Sequence, residues 1–241
     1  MTVNQEHAHY RENSFSARRK KYLLAKKKKR AKKQGTFIES PSMRDLVILS
    51  SHCQKGHYNI AIKLGALITQ NYPDHPFAWN ILGTSLLAIG KIKESLRVNR
   101  KLVDLSPKDS NAHNNLANSL KEVGKLHEAV SSYKKSISLD PNSVIAHNNL
   151  AGTLFKLDKY LEAEVHYKKA ISLKYDDFEV HHNFGNMLAH QGRLDEARVC
   201  YEAAITINPS YARGHRMFSS MKHFKSKDKQ YLAMQKIYSD Q

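Results

Sequence analysis

The sequence predicts an all-α protein, an α-solenoid of stacked antiparallel helix hairpins. Three observations support this fold class. The stretch AHNNLA occurs at residues 112–117 and again at 146–151, which is 34 residues later. Small and apolar residues recur every three or four positions, as they do on one face of an α-helix. Of the 10 glycines and 6 prolines in the 241 residues, four of each fall in the same register.

Three columns of residues define a 34-residue repeat from Ser42 onward. The first column supplies a left-handed residue that ends a helix: Gly56, Gly90, Gly124, Asp158 and Gly192. The second supplies a small side chain where two helices approach closely: Ala61, Ser95, Ala129, Ala163 and Ala197. The third stops the next helix: Pro73, Pro107, Pro141, Tyr175 and Pro209. A hairpin of this length has too little apolar surface to fold alone, so we expect the copies to stack.

Each repeat should contain a first helix (helix A) of about 14 residues with one apolar stripe, the glycine turn, and a second helix (helix B). Helix B carries an acidic residue near its start, which the helix dipole favours, and in three repeats a large core tyrosine: Tyr133, Tyr167 and Tyr201. We expect five units, at 42–75, 76–109, 110–143, 144–177 and 178–211. Residues 212–241 begin a sixth unit and lose its register, which predicts capping helices at about 212–223 and 229–238.

Residues 1–41 are predicted to form a basic arm that is disordered or transiently helical. The first 40 residues hold 12 Lys or Arg and 3 Glu, which is +9 of the total formal charge of +17. The run RRKKYLLAKKKKRAKK at 18–33 has too few apolar residues to offset the ordering entropy. It could contact nucleic acid or ribosomal phosphates, rest on an anionic membrane, or be a solvated tail, including an upstream extension of the reading frame.

The bulk properties predict a soluble protein of the cytoplasm. No apolar run approaches the roughly 18 residues that a membrane-spanning helix needs, and no apolar signal segment follows the N-terminal charges. Only two cysteines are present, Cys53 and Cys200, near opposite ends of the repeats. That usage favours a reducing compartment and two unpaired thiols.

The repeats resemble those of the tetratricopeptide repeat (TPR) family. The resemblance rests on Leu82-Gly83 and its equivalents, the small residue on helix B, the terminal proline, and a large residue that opens helix A: Trp79, His113, His147 and His181. It covers residues 42–211 and implies a right-handed superhelix that binds another protein. The residues depart from the family pattern at Asp158, at Tyr175 and in the first unit.

The resemblance implies a protein–protein interaction module that binds a peptide or partner protein in a concave groove. The stretches at 71–86 and 212–238 are also similar to bacterial proteins in which such an array precedes a sulfotransferase or glycosyltransferase domain. The alternative is therefore the substrate-recruiting arm of such a transferase, whose catalytic domain is missing or separate. No phosphate-cradling loop or dinucleotide fingerprint occurs in the sequence.

Helix A positions two, six, nine and thirteen of each unit should line the groove, because they lie opposite the buried stripe. In the later units these positions are rich in asparagine: Asn111, Asn115, Asn118, Asn149, Asn183 and Asn186. Helix propensity disfavours asparagine, so another role should explain its presence. A carboxamide can bond to both polar groups of a peptide backbone.

Asn115, Asn149 and Asn183 share position six and are similar to the asparagine ladder of O-linked N-acetylglucosamine transferases. The alternative is that each amide bonds to the adjacent helix or to water. A clamp for a partner's carboxylate would need paired cations, and Lys121 and Lys156 look isolated in the sequence.

We expect no enzymatic activity, no cofactor and no metal. Histidines recur once per repeat and cannot converge on one ion, so we expect His113, His147, His181 and His215 to pack between helices. No nucleophile lies in a recognisable strand-to-helix elbow.

Overall fold

A computed structural model describes residues 40–220 as eleven α-helices without a strand. The helices are α1 Met43–Gln54, α2 Tyr58–Asn71, α3 Pro76–Ala88, α4 Ile92–Leu105, α5 Ser110–Glu122, α6 Leu126–Leu139, α7 Val144–Phe155, α8 Tyr160–Leu173, α9 Phe178–His190, α10 Leu194–Ile207 and α11 Ala212–Ser219. Odd-numbered helices up to α9 are the A helices and even-numbered helices are the B helices.

Each A helix packs against the B helix that follows it, and each B helix packs against the next A helix. The predicted fold class is therefore confirmed: the described residues form an all-α solenoid of helix hairpins. The predicted capping helix at 212–223 corresponds to α11, which is described up to its C-cap Ser220. The rest of that helix, the predicted helix at 229–238 and the basic run at 18–33 lie outside the described residues.

The turns between helices A and B depend on one left-handed residue. Gly124 has φ of 80°, which an L side chain adopts only with strain. Its N–H donates to the Lys121 carbonyl at 3.1 Å, and the Lys125 N–H donates to the Leu120 carbonyl at 2.9 Å. This is the Schellman pattern, which satisfies carbonyls at the helix end. Asp158 forms the same turn with φ of 58° in place of glycine.

The proline column and the aromatic residues that open helix A are joined by a repeated hydrogen bond. Trp79 Nε1–H donates to the Pro73 carbonyl at 2.7 Å. Because a carbonyl only accepts, histidine at this position must carry its proton on Nε2 to make the same bond. The four equivalent bonds are His113 to Pro107 at 3.0 Å, His147 to Pro141 at 3.1 Å, His181 to Tyr175 at 2.8 Å and His215 to Pro209 at 3.0 Å. The histidines are thus links between consecutive repeats, and Tyr175 serves as well as proline because only its carbonyl is used.

The small column lies at the closest approach of the helices. Ala129 is completely buried, as are the other four members of its column. Tyr133, one turn further along α6, is also completely buried, and its equivalents Tyr167 and Tyr201 are buried in α8 and α10. The small methyl group of Ala129 thus leaves room in the core, and the ring of Tyr133 fills it.

The junction between the second and third units is polar. Asn99 takes the place of the core tyrosine there, and Ser95 takes that of the alanine. Asn99 Nδ2 donates to Ser119 Oγ at 2.8 Å, and Ser95 Oγ donates to the Gly83 carbonyl at 2.9 Å. A Cβ at Gly83 would lie 2.2 Å from Asn99 Oδ1, so glycine is what admits this amide. The buried apolar residues form separate clusters on the two sides of this junction, one around Leu49 and Ala78 and one from Ala117 to Phe218.

An ion-pair network joins the fourth and fifth units. The Arg193 guanidinium, at the N-cap of α10, lies 2.6 Å from Glu164 of α8 and 2.6 Å from Glu196. Lys168 Nζ lies 2.7 Å from the Glu164 carboxylate. The hydrogen bonds from Arg193 and Lys168 lower the pKa of Glu164 to about 2, although the partial burial of this carboxyl acts in the opposite direction.

We expect Ala129→Leu to destabilise the repeats, because the larger side chain cannot fit between α6 and its neighbours. Overpacking of this kind costs about 1–3 kcal/mol in the free energy of unfolding. Chemical denaturation followed by circular dichroism measures it. Ser131→Leu on the same helix, at an exposed position, is the control. Equal midpoints for the two variants would contradict close packing at the small column.

We expect Glu164→Gln to destabilise the protein most at neutral pH. The folded-state pKa of Glu164 lies below the ordinary value, so its contribution is present above that value and is lost as the pH falls toward 2. Denaturation at a series of pH values should show the difference from wild type shrinking in acid. Glu202→Gln, which removes an exposed carboxylate from the helix whose N-cap is Arg193 but outside this network, is the control. A difference that does not change with pH would argue against the network.

Candidate functional site

The A helices form one continuous face of the stack. Neighbouring A helices from α1 to α9 contact one another, whereas neighbouring B helices within the described residues do not pack along their lengths. Helices that approach more closely on one side bend the stack toward that side. The A-helix face is therefore the inner, concave wall.

Positions two, six, nine and thirteen of the A helices, here called the A-helix stripe, are accessible on this wall. Phe77 is 40% exposed and Ile145 is 65% exposed. Asn111 is exposed at position two, and its backbone N–H donates to the N-cap carboxylate of Asp109 at 2.9 Å. The other five predicted asparagines are half-buried, namely Asn115, Asn118, Asn149, Asn183 and Asn186.

The asparagines at position six bond to the preceding A helix. Asn115 Nδ2 donates to Asn80 Oδ1 at 2.9 Å. The equivalent bonds run from Asn149 to Asn114 and from Asn183 to Asn148, each at 3.2 Å. The structure therefore contains the helix-to-helix bonds that the sequence left as one of two alternatives. Each amide keeps its oxygen and its second N–H outside these bonds.

The sequence analysis does not identify the accepting residues, which are Asn80, Asn114 and Asn148. Their regular spacing is nevertheless visible in the sequence. They recur every 34 residues, each directly before position six of its own unit. The repeated pair NN in AHNNLA thus codes for one asparagine that donates backward and one that accepts from the next repeat. His182 takes the accepting position in the fifth unit, where it is buried against Tyr201 and Tyr211.

The asparagines at position nine accept from core tyrosines. The Tyr133 hydroxyl donates to Asn118 Oδ1 at 2.5 Å, and the Tyr201 hydroxyl donates to Asn186 Oδ1 at 2.9 Å. Burial raises the pKa of Tyr133, and it raises that of Tyr201 to about 12, so both hydroxyls remain protonated donors. The amide N–H groups of Asn118 and Asn186 are left for other partners.

Two lysines come closer together than their sequence positions suggest. Lys121 and Lys156 belong to adjacent units, and burial together with the positive charge of Lys156 lowers the pKa of Lys121. Glu122 partly compensates, with Oε1 at 3.8 Å from Lys121 Nζ. The sequence alone suggests that the two cations are isolated, but in the structure the charge of Lys156 acts on Lys121.

Cysteine, histidine and acidic side chains do not gather into a metal-binding group of three or more within residues 40–220. Cys53 is half-buried and Cys200 is buried, both as free thiols, and burial raises the pKa of Cys200 to about 11. None of the eleven described helices is long and apolar enough to cross a membrane.

Comparison with protein families identifies the repeats. Family models described as TPR repeat and tetratricopeptide repeat match residues 117–158 and 185–216, and residues 144–177, respectively. No curated protein sequence matches the chain.

Solved structures share the fold at low sequence identity. TTC0263, a thermophilic TPR protein of Thermus thermophilus, is 22% identical with a TM-score of 0.67, covering 74% of this chain and 97% of that one. YrrB, described as a TPR protein with an unusual peptide-binding site, is 19% identical with a TM-score of 0.52, covering 73% of this chain and 91% of that one. MamA from Desulfovibrio magneticus RS-1 is 16% identical with a TM-score of 0.53, covering 68% and 92%.

The 34-residue columns, the stacked hairpins and the matching family models agree. Residues 117–177 and 185–216 match models of the tetratricopeptide repeat, and the described residues share the fold of solved TPR proteins.

Proposed function

We propose that this chain is a protein-interaction module that holds an extended segment of a partner protein along the A-helix stripe. The observation that carries the proposal is the pair of asparagine columns with complementary unused groups. Position six retains amide oxygens and single N–H groups, and position nine retains N–H donors.

An extended peptide is suited to such a wall. Each of its residues other than proline presents one N–H donor and one C=O acceptor, and both need partners when the groove excludes water. Amides fixed by bonds to neighbouring helices or tyrosines are held in place before the peptide arrives. Their side-chain entropy is already lost, so less is lost on binding.

Apolar side chains on the same stripe would add affinity. Phe77 and Ile145 are large and exposed, and burying such side chains against a partner is favourable. Amides then hold the backbone while these residues select apolar side chains of the partner. YrrB, which has the same fold, is described as having a peptide-binding site, and this supports the use of the fold proposed for this chain.

In this proposal, residues 42–211 form the binding module, residues 1–41 a separate basic arm and residues 212–241 the closing segment. The basic run at 18–33 provides an additional contact to phosphate groups of nucleic acid or an anionic surface. The function uses no catalytic group, metal or cofactor and suits a reducing compartment such as the cytoplasm.

We expect the triple variant Asn115→Ala, Asn149→Ala and Asn183→Ala to bind peptides at least about tenfold more weakly. Each lost hydrogen bond contributes about 0.5–1.5 kcal/mol. The measurement is fluorescence anisotropy with labelled peptides selected on the wild-type chain from a mixed-sequence peptide array.

The matched control is Asn80→Ala, Asn114→Ala and Asn148→Ala. It removes the same three inter-helix bonds and leaves the stripe asparagines in place. Both triples should therefore lower the stability to a similar extent, and the first should lose clearly more peptide affinity than the control, which keeps the stripe amides and loses only the bonds that fix them. Equal loss of affinity would assign the asparagines to stacking alone.

A further inference from the structure

Three consecutive B helices carry a pair of basic residues at the same place in the repeat. The pairs are Arg100 and Lys101 in α4, Lys134 and Lys135 in α6, and Lys168 and Lys169 in α8. Corresponding residues are 34 positions apart. We call these six residues the basic track.

The basic track lies on the outer face of the stack. In α6, the residues that face the interior are Ala129, Tyr133 and Ser136, all completely buried. At 100° per residue, positions 134 and 135 flank the direction opposite to these three. The track is therefore on the side of the repeats away from the A-helix stripe, and two ligands could occupy the two faces together.

Much of the positive charge on the basic track is not neutralised by neighbouring acids. Lys134 Nζ lies 3.8 Å from Glu162, and Lys168 Nζ lies 2.7 Å from Glu164. The ion pairs found within residues 40–220 include none for the other four members, Arg100, Lys101, Lys135 and Lys169. An external anion is the counter-charge that the surface lacks.

We propose that the basic track binds the phosphate backbone of a nucleic acid without regard to its base sequence. The rows follow one another along a line, with helix spacings of at least about 10 Å. A line of cations matches a linear polyanion with regularly spaced charges. Tyr133 and Tyr167, the tyrosines next to the second and third rows, are buried, so backbone contacts and not base stacking supply the affinity.

An anionic membrane fits the same surface less well. Insertion would need apolar side chains beside every row, and the large exposed ones beside the track, Leu161 and Val165, lie next to the third row only. The corresponding residues beside the first row are Lys93 and Arg97, and beside the second His127 and Ser131. The first two rows are thus flanked by polar side chains that remain in water.

The test compares two triple variants of the full-length chain. The track variant is Lys101→Gln, Lys135→Gln and Lys169→Gln. The control is Lys91→Gln, Lys125→Gln and Lys159→Gln, which also changes one lysine in each of the same three units, at turns where each lysine pairs with a glutamate. Both lower the net charge equally, and both retain the 18–33 run. Circular dichroism confirms that each variant is folded.

Binding to a fluorescent single-stranded oligo-dT of roughly 30 nucleotides, longer than a typical site, is measured by anisotropy over a range of KCl concentrations. The slope of log K against log salt is negative, and each lost phosphate contact reduces its magnitude by about 0.7. The slope of the track variant should therefore be smaller in magnitude than that of wild type by about 2. At about 0.1 M salt that corresponds to on the order of a hundredfold loss of affinity.

The control variant should keep a slope close to that of wild type. Equal slopes for the two triples would overturn the proposal. Binding would then depend only on the net charge of the protein and not on where the lysines lie. Anionic phosphatidylserine vesicles provide the second probe. A track variant that loses vesicle binding and keeps oligo-dT binding would assign the surface to membranes and would also overturn it.

Discussion

The close stacking of neighbouring hairpins is the constraint on which the rest of the structure depends. A completely buried small residue, such as Ala129, lets helix B approach its neighbours, and a core tyrosine one turn later fills the remaining space. The hydroxyl of that tyrosine reaches the helix A asparagine at position nine. Packing of the core therefore also fixes the polar groups of the groove. For this reason, a change that loosens the stack should also disturb binding, whereas the outer face of the B helices can vary independently.

The stacking is not uniform along the chain. Most junctions use alanine and tyrosine, but the second and third units meet through Ser95, Asn99 and Ser119. In repeat proteins, stability is approximately the sum of unit terms and nearest-neighbour terms. Hydrogen bonds at a buried junction contribute less net free energy than an equal apolar area. The array therefore consists of two apolar blocks joined by a polar interface, and that interface is where we expect its cooperativity to be lowest.

Much of the fold can be predicted from the sequence, because columns of single residues report on local geometry. The glycine turn requires a positive φ and the small column requires close approach, and each is visible at one position. Pairings between repeats are harder to infer. The sequence predicts that Asn115 faces a groove, but its bond to Asn80 depends on how two helices lie side by side. The same holds for Lys121 and Lys156, and for histidines that bond to the carbonyls of the proline column. Their spacings are visible, but the partners follow only from the packed structure.

The asparagines are proposed both to form hydrogen bonds between adjacent repeats and to contact a partner. Side-chain amide resonances of the full-length chain, recorded by ¹H–¹⁵N NMR with and without a selected peptide, test this dual role directly. The amides of Asn115, Asn149 and Asn183 should be protected from hydrogen exchange without peptide, and those of Asn118 and Asn186 should shift when it binds. Fast exchange of the first three, or unchanged resonances of the last two at saturating peptide, would contradict the dual role.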